Sequence, residues 1–359
     1  MKRAWRRFSS SSSSSVRVAV FSQRAYMMKT QVEPMLAEFP GSRGLPVRLS
    51  RETAGLAEGC NAVCAFVNDD LSESTVERLA DVGIGCIAMR CAGYDRVDLE
   101  AANRCGVIVT RVPAYSPYAV AEHSIALCLT LNRQLIKASE RVRGGNYTLS
   151  GLVGFDMFGK TVGLIGTGKI GRCAASIYRG MGCKVIAFDS RPSKEAMAMG
   201  VEYVDFVDLL KESQIISLHC PLNEETKHLV NKNTIKLMRD NVVLINVSRG
   251  GLINTLDVID ALDSRKIGAL GIDVYEYEAN TFFEDLSVET DENPGASLPR
   301  GWDKTLGSLA TRPNVVVTPH VAFLTAEALS SIAQTTILNL KEFARGGPYT
   351  NQVLLPKAA

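Results

Sequence analysis

The chain has only four histidines. One of them, His320, sits in the stretch NVVVTPHVAFLT, where a β-branched run meets Thr318-Pro319 and ends. An imidazole there can serve as a proton donor or pack as a polar residue at a strand end, and both roles are open. Arg249 follows Asn246-Val247-Ser248 at the end of another β run. Its guanidinium can grip a carboxylate with two hydrogen bonds and stays charged at any working pH; a surface ion pair is the alternative. DVYEYE offers two carboxylates, Glu276 and Glu278, and either could orient an imidazole and favour its protonated form. Spacing does not choose between them. His219, in SLHCPL, reads as bordering a ligand pocket, His123 as structural, and His228, in TKHLV, as an ordinary residue at a helix start.

A second set of residues points to a nucleotide. Gly166-Thr167-Gly168-Lys169-Ile170-Gly171 fits the pattern GxGxxG, follows the β run TVGLI and opens a helical stretch. In that context Gly166 permits a tight turn, Gly168 lets the backbone approach a diphosphate, and Gly171 allows close helix–strand packing. The helix N-terminus beyond offers free N–H groups and partial positive charge. Asp189 closes the next β run, 18 residues after Gly171. A carboxylate there accepts hydrogen bonds from both ribose hydroxyls and repels a 2′-phosphate, so NAD is expected over NADP, with Arg191 a modest counterweight.

These residues need a scaffold that gathers strand ends. The 359 residues suit two domains. β-rich runs at 16–21, 45–49, 61–67, 86–90 and 106–110 alternate in part with helical stretches such as 72–83. Pro113 and Pro117 then mark a junction, and Ser116-Pro117 suits a helix cap. A long apolar helix from Tyr118 to about Leu135 should be buried against a sheet or a second subunit. Six further β runs, at 161–165, 184–189, 215–221, 242–250, 268–276 and 315–320, describe a doubly wound dinucleotide fold. An amphipathic helix after residue 325 can return to the first unit. The expected architecture is α/β: two Rossmann-like or flavodoxin-like lobes with parallel sheets and an interlobe cleft. Residues 16–112 with 321–359 form the substrate domain and 113–320 the nucleotide domain. Ligands bind beyond the carboxyl ends of such strands, where Asp189, His219, Arg249, Glu278 and His320 all fall. That convergence favours chemistry for His320.

Composition narrows the partners. Net charge is +2 and no basic stripe with interleaved aromatics stands out, which disfavours nucleic acid. No run of 18 apolar residues suggests a membrane span. Nine cysteines without a CxxC spacing read as free thiols rather than a disulfide framework, and no metal site is expected. Residues 1–15 hold Lys2, Arg3, Arg6 and Arg7 and a serine run, with no acid before Glu33. That composition fits an organelle transit peptide, with the mitochondrial matrix expected ahead of plastid or cytoplasm.

With these residues identified, the chain resembles the D-isomer-specific 2-hydroxyacid dehydrogenases, and within them the fermentative bacterial D-lactate dehydrogenases. The stretches CAFVNDD, RCAGYDRVDL, RVPAYSPYAVAEH, GKTVGLIGTGKIG, GVEYVD, SLHCPL, NVSRGGLI, LGIDVYE and VTPHVAFLTAEAL carry the resemblance. It implies that Arg249 binds a substrate carboxylate, that His320 is the acid/base and that Glu278 is its partner. It implies further that Ala92, Gly93 and Tyr115 line the substrate site. Lys169, Ile170, Asp189, Cys220, Pro221, Val247, Ser248 and Asp273 would join the glycines in holding NAD. Members are typically dimers through the nucleotide lobe, which would give the Tyr118 helix a partner. The bacterial pattern lacks the basic leader, which strengthens the targeting expectation. The segment 280–314 is acidic and is left unassigned.

The expected activity is reversible, NAD-dependent reduction of pyruvate to D-lactate on a small 2-oxo or 2-hydroxy acid. One competing expectation is a dehydrogenase for bulkier acids such as 2-oxoisocaproate. Another, from a different class, is an NAD-sensing corepressor-type scaffold, which the Arg249, Glu278 and His320 set disfavours.

Overall fold

A computed structural model describes residues 16–278, 281–283 and 303–355. The basic leader and most of the acidic segment lie outside the described residues. Two compact units emerge, one of residues 16–116 with 324–355 and the other of residues 117–323. The boundaries fall at Ser116/Pro117 and Phe323/Leu324, a few residues beyond the 112/113 and 320/321 expected from sequence.

The first unit carries five parallel strands: β1 (Val18–Val20), β2 (Arg43–Gly44), β3 (Ala62–Ala65), β4 (Cys86–Met89) and β5 (Ile108–Thr110). Their order is β2-β1-β3-β4-β5. Both faces of β3 and β4 are buried, as expected for parallel strands covered by helices. Those helices are α1 (Glu33–Glu38), α2 (Glu73–Asp81) and α3 (Leu99–Cys105), with the returning C-terminal helix. The run at 45–49 does not form the expected strand. Pairing ends at Gly44 because Pro46 has no N–H to give to a ladder, although Leu45 and Val47 still exchange backbone bonds with Val20 and Ser22.

The second unit holds a seven-stranded parallel sheet: β6 (Thr161–Ile165), β7 (Lys184–Phe188), β8 (Glu202–Tyr203), β9 (Ile215–Leu218), β10 (Val242–Asn246), β11 (Ile267–Ile272) and β12 (Val315–Val317). The order is β12-β11-β10-β9-β6-β7-β8. The six expected strands are present. The seventh, β8, is a two-residue polar edge strand with no hydrophobic pattern to announce it. Its helices are α4 (Pro117–Asn132), α5 (Leu135–Arg143), α6 (Lys169–Gly180), α7 (Lys194–Ala198), α8 (Phe206–Glu212), α9 (Lys232–Leu237), α10 (Thr255–Asp263) and α11 (Lys304–Ala310). The last helix of the chain, α12 (Ala326–Ala344), belongs to the first unit, where the Asn339 side chain donates to the Arg111 carbonyl at 2.9 Å. In the segment left unassigned from sequence, Asp303 caps α11 by accepting from Thr305 and Leu306 N–H.

The apolar helix after the junction ends at Asn132, because Gln134 takes a left-handed conformation before α5 begins. Its apolar face is covered inside its own unit. A Cβ on Gly271 of β11 would meet Leu127 and Leu131 of α4 at 3.1 Å, so glycine lets the helix lie close on the sheet. Helix α5 has no buried residue, and Tyr147, Leu149, Val153 and Phe158 are 75–89% exposed. No described helix is long and apolar enough to cross a membrane.

Candidate active site

The glycine hexad is built as its spacing requires. Gly166 has φ +98°, and a Cβ there would lie 2.7 Å from the Cys220 nitrogen at the end of β9. A Cβ on Gly171 would lie 2.1 Å from the Gly166 carbonyl, so α6 can press on the loop only without a side chain. Gly168 is the N-cap of α6 and offers no capping side chain, and a Cβ there would meet nothing within 4 Å. The first N–H groups of α6, at Lys169 and Ile170, thus face an open cradle at the positive end of a helix, which suits a diphosphate.

Asp189 stands just past β7, partly buried and ordered by three donors. Its Oδ2 accepts from Thr167 N–H at 2.6 Å and from the Thr167 hydroxyl at 2.9 Å, and its Oδ1 accepts from Arg191 N–H at 2.8 Å. Partial burial pushes its pKa upward, but these hydrogen bonds outweigh that and leave it below the usual carboxylate range. The carboxylate stays ionised, which fits a ribose diol and not a phosphate. The donor set and the open cradle together fit NAD.

Further along the same sheet, β9 is followed by His219-Cys220-Pro221 and β10 by Val247-Ser248-Arg249. The Ser248 hydroxyl donates to the Cys220 carbonyl at 2.5 Å and joins the two turns. Buried Asn246 accepts from Ser248 N–H at 3.1 Å and donates to the Arg249 carbonyl at 2.9 Å, which fixes the turn that carries the guanidinium. Cys220 is 8% exposed, and burial raises its thiol pKa to about 11, so it is a packed thiol rather than a nucleophile. Burial lowers the His219 pKa to about 4; the imidazole is neutral at physiological pH, with Nε2 2.9 Å from the Ser217 hydroxyl.

His320 occupies a left-handed turn, φ +56°, just past β12. This conformation is uncommon for a residue with a side chain and needs support. Asp273, fully buried after β11, provides it. Its carboxylate accepts from the Thr318 hydroxyl at 2.5 Å, Val321 N–H at 2.8 Å and Ala322 N–H at 2.9 Å, and its carbonyl accepts from His320 N–H at 2.8 Å. His123 of α4 completes this support, with Nε2 2.9 Å from the Thr318 hydroxyl and 3.4 Å from Asp273. The Asp273 carboxylate, expected among the cofactor contacts, is thus engaged in the His320 turn.

The His320 Nδ1 lies 2.9 Å from Glu278 Oε1, and the other Glu278 oxygen accepts from Tyr275 N–H at 3.0 Å. The ambiguity between the two glutamates resolves here. Glu276 lies 2.5 Å from His228 Nε2 and accepts from the Thr255 hydroxyl at 3.0 Å. His228 is therefore not at a helix start, as its sequence context suggested. It has φ +51° in a turn, and its N–H donates to the Gly251 carbonyl at 2.8 Å. Sequence spacing gave no sign of this clasp, because its three members come from two turns and the start of α10, far apart along the chain. In the same way Thr167, which donates to Asp189, Tyr203, which donates to Thr167, and the brace Asn246 lie within recognised stretches but were given no role.

The remaining candidates belong to the first unit. The Ala92 carbonyl accepts from Arg111 at 2.9 Å and the Gly93 carbonyl from the Cys91 thiol at 3.2 Å, so the loop after β4 is held in one shape. Tyr115 is half-buried just before the junction.

Comparison with known proteins points to one family. Residues 125–322 match the D-isomer specific 2-hydroxyacid dehydrogenase NAD binding domain. The chain is 48% identical over 306 residues to D-lactate dehydrogenase of Escherichia coli (strain K12), covering 85% of this chain and 90% of that one. It is similar to the solved structure of the pyruvate reductase of Chlamydomonas reinhardtii, with a TM-score of 0.88, 46% identity, and coverage of 94% and 98%. It is also similar to D-lactate dehydrogenase from Aquifex aeolicus complexed with NAD and lactic acid, with a TM-score of 0.82, 30% identity, and coverage of 95% and 100%. The glycine cradle, the ionised Asp189 and the His320–Glu278 pair thus sit in a chain that belongs to the D-isomer specific 2-hydroxyacid dehydrogenase family, an NAD-dependent oxidoreductase resembling the D-lactate dehydrogenases.

Proposed function

We propose that the protein reduces pyruvate to D-lactate, reversibly, with His320 as the acid/base. The observation that carries this reading is the contact between His320 Nδ1 and Glu278, in a turn locked by Asp273. With Nδ1 facing a carboxylate, Nε2 is the nitrogen left to exchange a proton with substrate. Glu278 keeps the ring in that orientation and stabilises it when protonated.

Bound NADH supplies the hydride to the carbonyl carbon. Gly166, Gly168, Gly171, Lys169 and Ile170 would hold its diphosphate, Asp189 its adenosine ribose, and Cys220, Pro221, Val247 and Ser248 its nicotinamide end. Arg249 would hold the substrate carboxylate. His320 Nε2 then gives its proton to the ketone oxygen as negative charge develops there, and takes it back in the reverse direction. The decisive measurement is NADH oxidation by the purified chain with pyruvate and, in parallel, 2-oxoisocaproate, followed by chiral analysis of the product. L-lactate as product, or a kcat/KM higher for 2-oxoisocaproate, ends the reading.

Two further parts of the proposal have their own support. The exposed apolar side chains of α5 and of Tyr147, Leu149, Val153 and Phe158 support a homodimer in which a second copy covers them. A monomeric mass by light scattering at micromolar concentration argues against it. The basic, serine-rich composition of residues 1–15 supports import into the mitochondrial matrix. Diffuse fluorescence from a reporter fused behind residues 1–40 argues against that.

A further inference from the structure

Asp189 is the end of a chain of hydrogen bonds that has a single direction. The backbone N–H of Ser193 donates to the Tyr203 hydroxyl at 2.8 Å, Tyr203 donates to the Thr167 hydroxyl at 2.7 Å, and Thr167 donates to Asp189 Oδ2 at 2.9 Å. A backbone N–H can only donate, an ionised carboxylate can only accept, and each hydroxyl has one proton to give. Every link is therefore fixed. Reversal at Tyr203 would leave two donors facing each other at Ser193. Thr167 is 2% exposed, so water does not compete for its hydroxyl. Chains of this kind polarise in one sense, and low local dielectric strengthens each bond.

The consequence lies in how the carboxylate is presented. Oδ2 already accepts two bonds, from the N–H and the hydroxyl of Thr167, while Oδ1 accepts one, from Arg191 N–H. The carboxylate plane is thus set before any ligand arrives, and free acceptor capacity remains mainly on Oδ1. A hydroxyl can donate to it. A phosphate at the same place meets a negative charge that cannot rotate away.

We infer that Tyr203, acting through Thr167, is a positioning residue that sets the preference for NADH over NADPH. This rests on the assignment of Asp189 to the adenosine ribose. Tyr203 belongs to β8, the edge strand without a hydrophobic signature, so the chain gives that strand a function beyond closing the sheet.

Binding separates this role from simple packing. Dissociation constants for NADH and NADPH are measured by nicotinamide fluorescence on the full chain without substrate, and kcat/KM with each cofactor gives a second readout. Tyr203→Phe and Thr167→Val should each raise the NADH constant about 3- to 10-fold, as expected for loss of one hydrogen bond in a charged chain, and change the NADPH constant by less than about twofold. Thr167→Ser keeps the hydroxyl and should keep the ratio. The double variant should do no worse than the weaker single one, because both cut the same chain. An equal rise for both cofactors would reduce Tyr203 to a packing residue and overturn the inference. If Asp189→Asn shifts the ratio while Tyr203→Phe and Thr167→Val do not, the inference alone falls. If Asp189→Asn leaves the ratio unchanged, the ribose assignment falls with it.

Discussion

Glu276 and Glu278 stand two residues apart in one turn, yet each holds a different histidine: Glu276 meets His228 at 2.5 Å and Glu278 meets His320 at 2.9 Å. The division has a structural cause. The turn after β11 is closed by Tyr275 N–H donating to the Glu278 side chain and Glu278 N–H donating to the Tyr275 carbonyl. Glu278 is thereby directed at the turn beyond β12, and Glu276 at the loops that follow β9 and β10. One carboxylate serves the proposed proton carrier, and its neighbour ties down the loops around it.

His320→Gln should lower kcat by about 10²–10⁴-fold, the usual worth of a positioned proton donor. The NADH dissociation constant should stay within about twofold, since a hydrogen-bonding side chain still fills the turn. Glu278→Gln should lower kcat by a smaller factor, because the amide can still orient the ring but cannot balance its charge. Steady-state kinetics together with NADH fluorescence check both. Full turnover in His320→Gln removes it from the chemistry.

Arg249→Gln should raise KM for the 2-oxo acid at least tenfold and also slow turnover, since a loosely held substrate presents its carbonyl poorly. Arg249→Lys should recover little of this, because an ammonium cannot reproduce the two-pronged grip of a guanidinium. The comparison is made at saturating NADH. Recovery to the parent KM by lysine would mean that charge alone suffices.

Much of the fold could be read from sequence because buried parallel strands have a strong local signature. The runs that became β6, β7, β9, β10 and β11 are apolar and β-branched, and each ends beside a candidate residue. The GxGxxG loop was legible for a similar reason, since Gly166, Gly171 and Asp189 owe their roles to spacing along the chain. What sequence hid depends on contacts between distant loops. The choice between Glu276 and Glu278 turned on His228, 48 residues away from Glu276, and the ordering of Asp189 on Tyr203. Asp273 could be marked as important, but its burial and its hold on the His320 turn are properties of packing.

The clasp of Glu276 with His228 and Thr255 should matter for substrate more than for cofactor. A Cβ on Gly250, next to Arg249, would lie 2.1 Å from the Tyr275 carbonyl carbon, so the Arg249 turn and the glutamate turn are in direct backbone contact. Glu276→Ala or His228→Ala should let that contact slip and raise KM for the 2-oxo acid about 3- to 10-fold, as for loss of a hydrogen bond to a charged group. The double variant should cost no more than the worse single one. Glu276→Gln keeps both partners and should recover most of the effect. An unchanged KM in both alanine variants, with the fold intact by circular dichroism, would make the clasp dispensable. Gly250→Ala should be harsher, destabilising the fold by about 1–3 kcal/mol through overpacking.

His219 predicts an acid sensitivity that one substitution should remove. Burial holds its folded-state pKa at about 4, below the 6.5 of an unfolded chain. Between those values the unfolded chain takes up a proton that the folded protein refuses, so stability falls as pH falls. The contribution is fully present above about pH 6.5, is lost progressively toward pH 4, and amounts to roughly 3 kcal/mol at most. His219→Gln cannot titrate and keeps a hydrogen-bonding group near Ser217. Urea unfolding of the parent chain and the variant, run from pH 7.5 to 4.5, should show the parent losing stability faster than the variant below pH 6.5. Parallel curves across that range would mean that the imidazole takes up its proton as readily in the folded protein as in water.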